Sequence, residues 1–506
     1  MTDNPSYLSS LSVEYIMYIW TIIYAQNFNI NSPMKRPWKL EFRINDKSRK
    51  AIYLQIADAI ISDIQSGRLK SGDLLPGTRS LAEMLNINRN TIVKALNVLF
   101  DEEWIFSVER KGTFIAETLP QFTKPKKKQS PESTVDVELN PCRIIFDNGY
   151  PDSKIAPVTE LARAYRQIFN RNARWQMMGY GNELGDAKFI EIIVQMLNHQ
   201  RGMNVREDAV CITRGSQMAM FMLAHCYFKD GDCVIVENPG YKSAWKAFQH
   251  AGATLLQVGV DDEGLIIDEV IKHLKSNGKI KAVYTTPHHQ YPTTVTLSLQ
   301  RRHELLRLSN EYNFTIIEDD YDNEFHYGYR PIFPLCSFSD IRNYIYIGTL
   351  SKVVAPALRI GYIATSIPGL IQNIGQLRKI IDVQGDRIME QAVLQLIEDG
   401  VIKRHIKKAT HYYRDKRDFT ASLLEQFMKD GVSYNIPGGG LAFWIKPKRT
   451  VDWQNISQQL IKRGVKIITP DNYYDGSPVS GMRLSFGTLS NHDLRDGIKI
   501  LSEYIT

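Results

Sequence analysis

Cysteine is scarce in this chain of 506 residues. Five are present, Cys142, Cys211, Cys226, Cys233 and Cys336, an odd number with no C-x-x-C pair. That usage excludes a disulfide framework or a thiolate zinc site, leaves no metal centre to expect, and suits a reducing compartment, so a cytoplasmic location is expected. Long hydrophobic runs are missing too. The most apolar stretch, Val13 to Phe28, is interrupted by Glu14 and Gln26, and its unbroken part falls short of the roughly 20 residues a spanning helix needs. It lacks the basic n-region and small-residue cleavage site of a secretory signal. No membrane association is expected, and folding is expected to begin near Met34, with residues 1–33 a disordered or poorly packed extension, for which an upstream start codon is one hypothesis. There is no G-x-G-x-x-G after the first strand and no Walker sequence, which removes the usual support for dinucleotide or P-loop binding.

The composition that remains, 43% hydrophobic and 23% charged, is that of a folded globular chain long enough for two to four domains at roughly 150 residues each. Its net charge of +7 is unevenly placed. Residues 34–128 hold 18 Lys/Arg against 11 Asp/Glu, which accounts for the whole excess and leaves the rest of the chain neutral. A basic front end fits a partner with a polyanionic surface, nucleic acid or anionic membrane, although a basic soluble domain without such a partner has the same arithmetic.

Within that front end, Leu54, Ile56, Ala57, Ile60, Ile61 and Ile64 recur at helical spacing, and Gly67 ends the run. Thr78 to Leu85 predicts a short second helix, with Thr78 or Ser80 as its N-cap and Leu81, Ala82 and Leu85 facing inward. After the turn Asn86-Ile87-Asn88, Arg89 to Leu99 predicts a third helix. Ile92, Ala95, Leu96 and Leu99 lie on its core side, and Arg89, Asn90, Thr91 and Lys94 are left outside. Two helices across a three-residue turn form a helix-turn-helix, whose second helix can enter the major groove of DNA. Arginine can bind guanine bidentately, asparagine can bind adenine, and threonine can meet a phosphate or a thymine methyl. Trp104–Val108 and Gly112–Ala116 predict two short strands around Glu109-Arg110-Lys111, a wing that would set Lys111 against a phosphate or the minor groove.

The stretch LPGTRSLAEMLNINRNTIVKALNVLFDEEWIFSVERKGTFIA resembles the winged helix of the GntR family. The resemblance implies binding to a double-stranded DNA operator through Arg79, Arg89, Asn90, Thr91, Lys94, Lys111 and Gly112. The glycine that the family usually carries two residues before the wing glycine is Arg110 here. The winged helix is expected over 37–116. A linker is expected over 117–140, where Pro120, Pro125, Pro131 and the run Lys126-Lys127-Lys128 interrupt any apolar period.

Residues 141–506 alternate apolar strands, at Ala209–Thr213, Cys233–Glu237, Ala282–Thr285, Thr315–Glu318 and Tyr344–Ile347, with amphipathic helices. This predicts an α/β domain with a mostly parallel sheet and a ligand at the carboxyl ends of its strands. Polar residues collect there: Arg214-Gly215-Ser216-Gln217 opening a helix, Glu318-Asp319-Asp320-Tyr321, and Ser351-Lys352 followed by Arg359. Pyridoxal phosphate needs such parts, namely a lysine for the Schiff base, a carboxylate for the pyridine nitrogen, and cationic or hydroxyl groups for the phosphate.

YGNELGDAKFIEIIVQML, TRGSQMAM, ENPGY, TPHHQYPTT, IIEDDYDNEF, GTLSKVVAPALRIGY and MRLSF resemble successive motifs of fold-type I aminotransferases. They do so in the form found in MocR/GabR-type regulators, which join a GntR winged helix to a pyridoxal-phosphate-dependent transferase fold with a smaller C-terminal α+β subdomain. The resemblance implies that Lys352 forms the Schiff base, Asp319 meets the pyridine nitrogen and Tyr321 the phenolic oxygen. It implies that Tyr241 stacks on the ring, and that Ser216, Gln217, Ser351 and Arg359 bind the phosphate, with Tyr180 reaching it from the partner in a head-to-tail homodimer. Arg483 would clamp the carboxylate of an amino-acid-like ligand. The run Glu318-Asp319-Asp320 leaves open which carboxylate faces the ring. Thr294 replaces the glycine that ends the family's P-T-G motif, and Tyr291 stands where ordinary aminotransferases carry asparagine. The implied function is a DNA-binding regulator that senses pyridoxal phosphate, a small amino compound, or both, through an external aldimine; an active aminotransferase with a DNA-binding appendage is the alternative.

Overall fold

The computed structural model describes residues 50–109, 111–119, 142–170, 175, 178–328, 332–476 and 481–505. The extension expected over 1–33, the first residues of the winged helix, Arg110, and the linker from Pro120 with its lysine run lie outside the described residues. Contacts divide the chain into two compact units, Met1–Asp136 and Val137–Thr506.

In the first unit, α1 (Ile52–Gln65), β1 (Leu74–Leu75), α2 (Thr78–Leu85) and α3 (Arg89–Asp101) precede the hairpin of β2 (Ile105–Val108) and β3 (Gly112–Ile115). Ile56, Ala57, Ile60 and Ile64 of α1, Leu81 of α2, and Ile92, Ala95, Leu96 and Leu99 of α3 form one core with Trp104, Ile105 and Ile115. Ile60, Ile92 and Leu99 have no exposed surface, and burial of a side chain of that size contributes about 1.5–3 kcal/mol. The cap of α2 differs from expectation. Gly77 occupies the N-cap position without a side-chain bond, because the Thr78 hydroxyl lies one residue inside and instead accepts from Arg89 Nε at 3.3 Å. The sheet also has a strand that short apolar runs did not reveal. The two leucines of β1 pair antiparallel with β3, giving the order β1-β3-β2. Gly112, at φ +119°, allows this closeness: a Cβ there would lie 2.7 Å from Leu74 Cδ1.

The second unit runs in chain order through β4 (Ile144–Ile145), α4 (Val158–Asn170), α5 (Ala187–Arg201), β5 (Val210–Thr213), α6 (Gly215–Tyr227), β6 (Cys233–Asn238), α7 (Lys242–His250), β7 (Thr254–Asp261), β8 (Gly264–Leu265), α8 (Ile267–Ser276) and β9 (Ile280–Thr285). It continues with α9 (Leu299–Tyr312), β10 (Thr315–Asp320), β11 (Tyr344–Thr349), β12 (Gly361–Thr365), α10 (Leu370–Ile381), α11 (Arg387–Glu398) and α12 (Val401–Met428). The last elements are β13 (Val432–Tyr434), β14 (Ala442–Pro447), α13 (Trp453–Lys462), β15 (Val465–Lys466), β16 (Met482–Ser485) and α14 (Asn491–Ile505). Eight strands form one sheet in the order β5-β12-β11-β10-β9-β6-β7-β8. Adjacent strands among β11, β10, β9, β6 and β7 pair in parallel, while β12 is antiparallel to both β11 and β5. The central strands are buried along their length, as a sheet covered on both faces requires. Beyond it, the antiparallel sheet β13-β14-β16 packs with α12 and α14 around a second core that includes Phe443, Leu484 and Leu501. This is the α/β architecture expected, with the α+β part at the C-terminal end. Among the described residues no helix is long and apolar enough to cross a membrane.

Candidate cofactor site and nucleic-acid interface

Strand alternation separates the three acidic residues at the end of β10. Side chains two residues apart share a face, so Glu318 and Asp320 point together and Asp319 points the other way. Glu318 accepts from the backbone N–H groups of Leu335 and Cys336 at 3.0 and 2.9 Å. Asp320 is ion-paired with Arg201 and accepts from the Tyr346 hydroxyl at 2.6 Å. Glu318 is committed to structure, and Asp320 is turned to Arg201 and His288, its Oδ1 lying 3.5 Å from His288 Nδ1 without a hydrogen-bond partner among the described residues. Asp319 accepts from the Tyr284 hydroxyl through Oδ2 at 2.8 Å, while its buried Oδ1 has no partner among the described residues. Burial pushes its carboxyl up to about 7, and Lys352, which opposes the shift, does not cancel it.

Lys352 follows β11 in the turn that begins at Leu350. Its ammonium lies 4.3 Å from the centroid of the Tyr321 ring, and burial lowers its pKa to about 8 even though Asp322 pulls the other way. The Tyr321 hydroxyl donates to the His289 carbonyl at 2.8 Å. Asp322, which the sequence reading passed over, is 1% exposed. It accepts from His289 Nδ1 through Oδ1 at 2.7 Å, and its Oδ2 is buried without a partner among the described residues. Burial alone would raise its pKa, but His289, Lys352 and Arg483 together hold it below the usual carboxylate value.

Arg483, on β16, has no exposed surface. Its Nε donates to the Asn148 carbonyl at 3.3 Å and its Nη1 to the Pro292 carbonyl at 3.0 Å. Its Nη2 is buried and has no partner among the described residues, and the guanidinium sits 5.2 Å from the Tyr291 ring centroid. Tyr291 meets Tyr241, Tyr321 and Tyr473 edge-on, and its hydroxyl donates to Asn148 Oδ1 at 2.8 Å. The Tyr241 hydroxyl donates to Gln217 Oε1 at 3.1 Å.

Ser216 and Gln217 lie in the first turn of α6, where free backbone N–H groups favour an anion. Gly215, at φ +79°, takes a left-handed conformation that favours glycine, and a Cβ there would lie 2.7 Å from Arg359 Nη2. Arg359 is held over this turn by donating to the Arg214 carbonyl at 3.1 Å. Ser351 is buried, and its hydroxyl is 3.4 Å from the Ile360 carbonyl. Tyr180 stands apart, 87% exposed. Tyr284, Asp322, His289 and Asn148 are the site neighbours that the sequence reading missed. Their spacing in the chain carries no signal, since Asn148 meets residues more than 140 positions away.

In the first unit, Asn86 (φ 51°) closes α2, and the Asn88 side chain caps α3 by accepting from Asn90 N at 2.8 Å. Arg79, Arg89, Asn90, Lys94, Lys111 and Gly112 are exposed, and Thr91 is half-buried. Arg89 Nε is tied to Thr78 across the turn.

The family models match this division. "Aminotransferase class I and II" covers residues 147–501, and "Bacterial regulatory proteins, gntR family" covers residues 52–115. A solved structure, Pyrococcus horikoshii kynurenine aminotransferase in complex with PMP, is 31% identical, with a TM-score of 0.67 over 72% of this chain and 90% of that one. The chain belongs to the aminotransferase class I and II family, whose cofactor is pyridoxal phosphate. Two relatives span both units. The HTH-type transcriptional regulator YisV of Bacillus subtilis is 26% identical over 473 residues, covering 90% of this chain and 96% of that one. The probable rhizopine catabolism regulatory protein MocR of Rhizobium meliloti is 23% identical over 473 residues, covering 89% and 93%. With a GntR winged helix ahead of the aminotransferase-like domain, this protein is a transcriptional regulator of the MocR type.

The residues present fit the cofactor. The unpartnered Asp319 oxygen suits a protonated ring nitrogen, and the first turn of α6 beside Arg359 suits a phosphate.

Proposed function

We propose that the protein controls transcription by sensing pyridoxal phosphate, a small amino compound, or both, at the site around Lys352. Asp319, Tyr321, Tyr241, Ser216, Gln217, Ser351 and Arg359 would hold the cofactor. Bound there, it supplies an aldehyde for an amine and a protonated ring that withdraws electrons. The observation that carries this reading is the set of buried atoms on charged groups around Lys352 that have no partner among the described residues: Asp319 Oδ1, Asp322 Oδ2 and Arg483 Nη2. A buried polar group without a partner costs about 1–3 kcal/mol, which ligand binding relieves.

The residues of this chain then have distinct tasks. Asp319 keeps a proton at the ring nitrogen. Lys352, with its pKa lowered to about 8, keeps a larger share of neutral amine near neutral pH than an ordinary lysine. Arg483 orients a carboxylate through Nη2 and lies too deep for water to compete freely. Tyr291 and Tyr241 wall the chamber.

In the regulatory reading, two chains form a head-to-tail homodimer, and the exposure of Tyr180 supports its reaching the partner's site. The pair would bind a double-stranded operator through Arg79, Arg89, Asn90, Thr91, Lys94, Lys111 and Gly112, in the cytoplasm. A ligand shifts DNA affinity only by its differential affinity for two arrangements of the dimer. The alternative, a working aminotransferase with a DNA-binding appendage, is favoured by the retention of Lys352, Asp319 and Arg483 together. A steady-state assay with amino donors and 2-oxo acids separates the two: sustained turnover at about 1 s⁻¹ or faster, an ordinary enzymatic rate, supports the alternative.

A further inference from the structure

A cavity of about 450 Å³ opens beside the lysine chamber. One wall is Asn148, Tyr241 and Tyr291, and the same Asn148 and Tyr291 hold Arg483 from the other side. The opposite wall is built on β15 and the segment after it. Among the described residues no aspartate or glutamate lines this cavity, and its charged residues are Lys242 and Lys466. Lys242 is occupied, donating to the carbonyls of Asp471 and Tyr474 at 3.3 and 2.8 Å. The nearest carboxylate in the hydrogen-bond network, Asp471, accepts from Gln454 Nε2 at 3.2 Å. Lys466 has no ion-pair partner among the described residues.

The position of Lys466 is set by the fold. β15 pairs in parallel with β4, Lys466 opposite Ile145, and the flanking Val465 and Ile467 are buried in the C-terminal core. An anchored strand thus sets half-buried Lys466 at the edge of a concave space otherwise lined mainly by amides, hydroxyls and tyrosines. A cation in such a place strengthens the local field, because the walls exclude part of the screening water.

We propose that the amino compound recognised at this site carries a second anionic group, a carboxylate or a phosphate, at the end away from its amine, and that Lys466 pairs with that group. The inference rests on the sensing reading above and adds the class of ligand. Arg483 and Lys466 then divide the work, Arg483 taking the carboxylate next to the amine and Lys466 the distal charge. A distal ammonium is disfavoured by both.

The test is a titration of the cofactor-loaded full-length protein, following the visible absorbance of the cofactor or the heat of binding. The compounds are norvaline (neutral), glutamate (distal carboxylate), phosphoserine (distal phosphate) and ornithine (distal cation). Glutamate or phosphoserine should bind about ten-fold or more tighter than norvaline, as a charge-assisted hydrogen bond implies, with ornithine weakest. Lys466→Gln should abolish that preference without changing the affinity for norvaline, Lys466→Arg should retain it, and Lys466→Glu should turn it towards ornithine. Phosphoserine alone gaining affinity assigns a phosphate; glutamate alone gaining it assigns a carboxylate. Equal binding of norvaline and the anionic compounds, or a preference that survives in Lys466→Gln, overturns the proposal while leaving the sensing reading intact. Silence from every amine overturns this proposal and the amino-compound part of the sensing reading, leaving pyridoxal phosphate as the signal.

Discussion

The Tyr284 hydroxyl, on β9, donates to Oδ2 of Asp319 at 2.8 Å and leaves Oδ1 of the same carboxylate buried without a partner. One oxygen is therefore fixed and the other is free for a ligand. Asn at this position keeps the shape and removes the charge. Asp319→Asn should weaken cofactor binding by about 10- to 100-fold, the worth of a charge-assisted hydrogen bond, measured by equilibrium titration of cofactor into the cofactor-free protein.

The same carboxylate gives a pH prediction for the cofactor-free protein. Its folded pKa of about 7 lies well above the ordinary aspartate value of 3.8. Between the two the folded state holds a proton that the unfolded state has released, so the Asp319 contribution to stability is full below about pH 4, declines as pH rises through that window and is lost above 7. Denaturant melts at pH 5 and pH 7.5 should therefore show wild type losing more stability than Asp319→Asn. Equal losses would mean that Asp319 is ionised throughout.

For Lys352 the lowered pKa of about 8 sets the rate at which cofactor is captured. The capture rate should rise with pH and level off near pH 8 rather than climbing towards 10.5. Asp322 raises the lysine pKa and Arg483 lowers it, so Asp322→Asn should move the plateau to lower pH. Stopped-flow absorbance reads both. Lys352→Ala should eliminate the lysine-bound absorbance and leave DNA binding of the cofactor-free protein unchanged.

Thr294 occupies the left-handed region at φ 63°, where a β-branched residue is strained by about 1–3 kcal/mol. Glycine relieves the strain but adds about 0.5–1 kcal/mol of unfolded-chain freedom. Thr294→Gly should thus be neutral or stabilising by about 1 kcal/mol, read as an unchanged or raised Tm. A clear fall in Tm would show that the threonine side chain is needed.

On the DNA side, Arg89→Ala should weaken binding to selected sites by about 1–3 kcal/mol and relax the preference at one base position. Lys94→Ala should weaken binding evenly across sequences and reduce the salt dependence by about one phosphate's worth. Fluorescence anisotropy at several salt concentrations distinguishes the two outcomes.

Much of this was legible in the chain because it is local. Ile92, Ala95, Leu96 and Leu99 were readable from a 3.6-residue period, and all four are buried in the winged-helix core. Lys352 and Arg359 were readable from one motif. What was not legible depends on partners distant in sequence. The choice among Glu318, Asp319 and Asp320 needed the alternation of β10 and the backbone donors of Leu335 and Cys336. Asp322 beside Lys352 needed His289 to hold it. The antiparallel β12 and the two-residue β1 carry too little period to be seen in the chain.

The central claim is that ligand binding at Lys352 alters the grip on DNA. Its most direct test is the affinity of the full-length protein for a duplex selected from random sequence, compared between the cofactor-free protein and the same protein with pyridoxal phosphate, and between the cofactor-loaded protein alone and with each amino compound that perturbs the cofactor absorbance. At least one ligand should change that affinity about five-fold or more in wild type, the lower end of ordinary coupling free energies, and leave Lys352→Ala unaffected. An affinity that no ligand moves, or one that moves equally in Lys352→Ala, would contradict it.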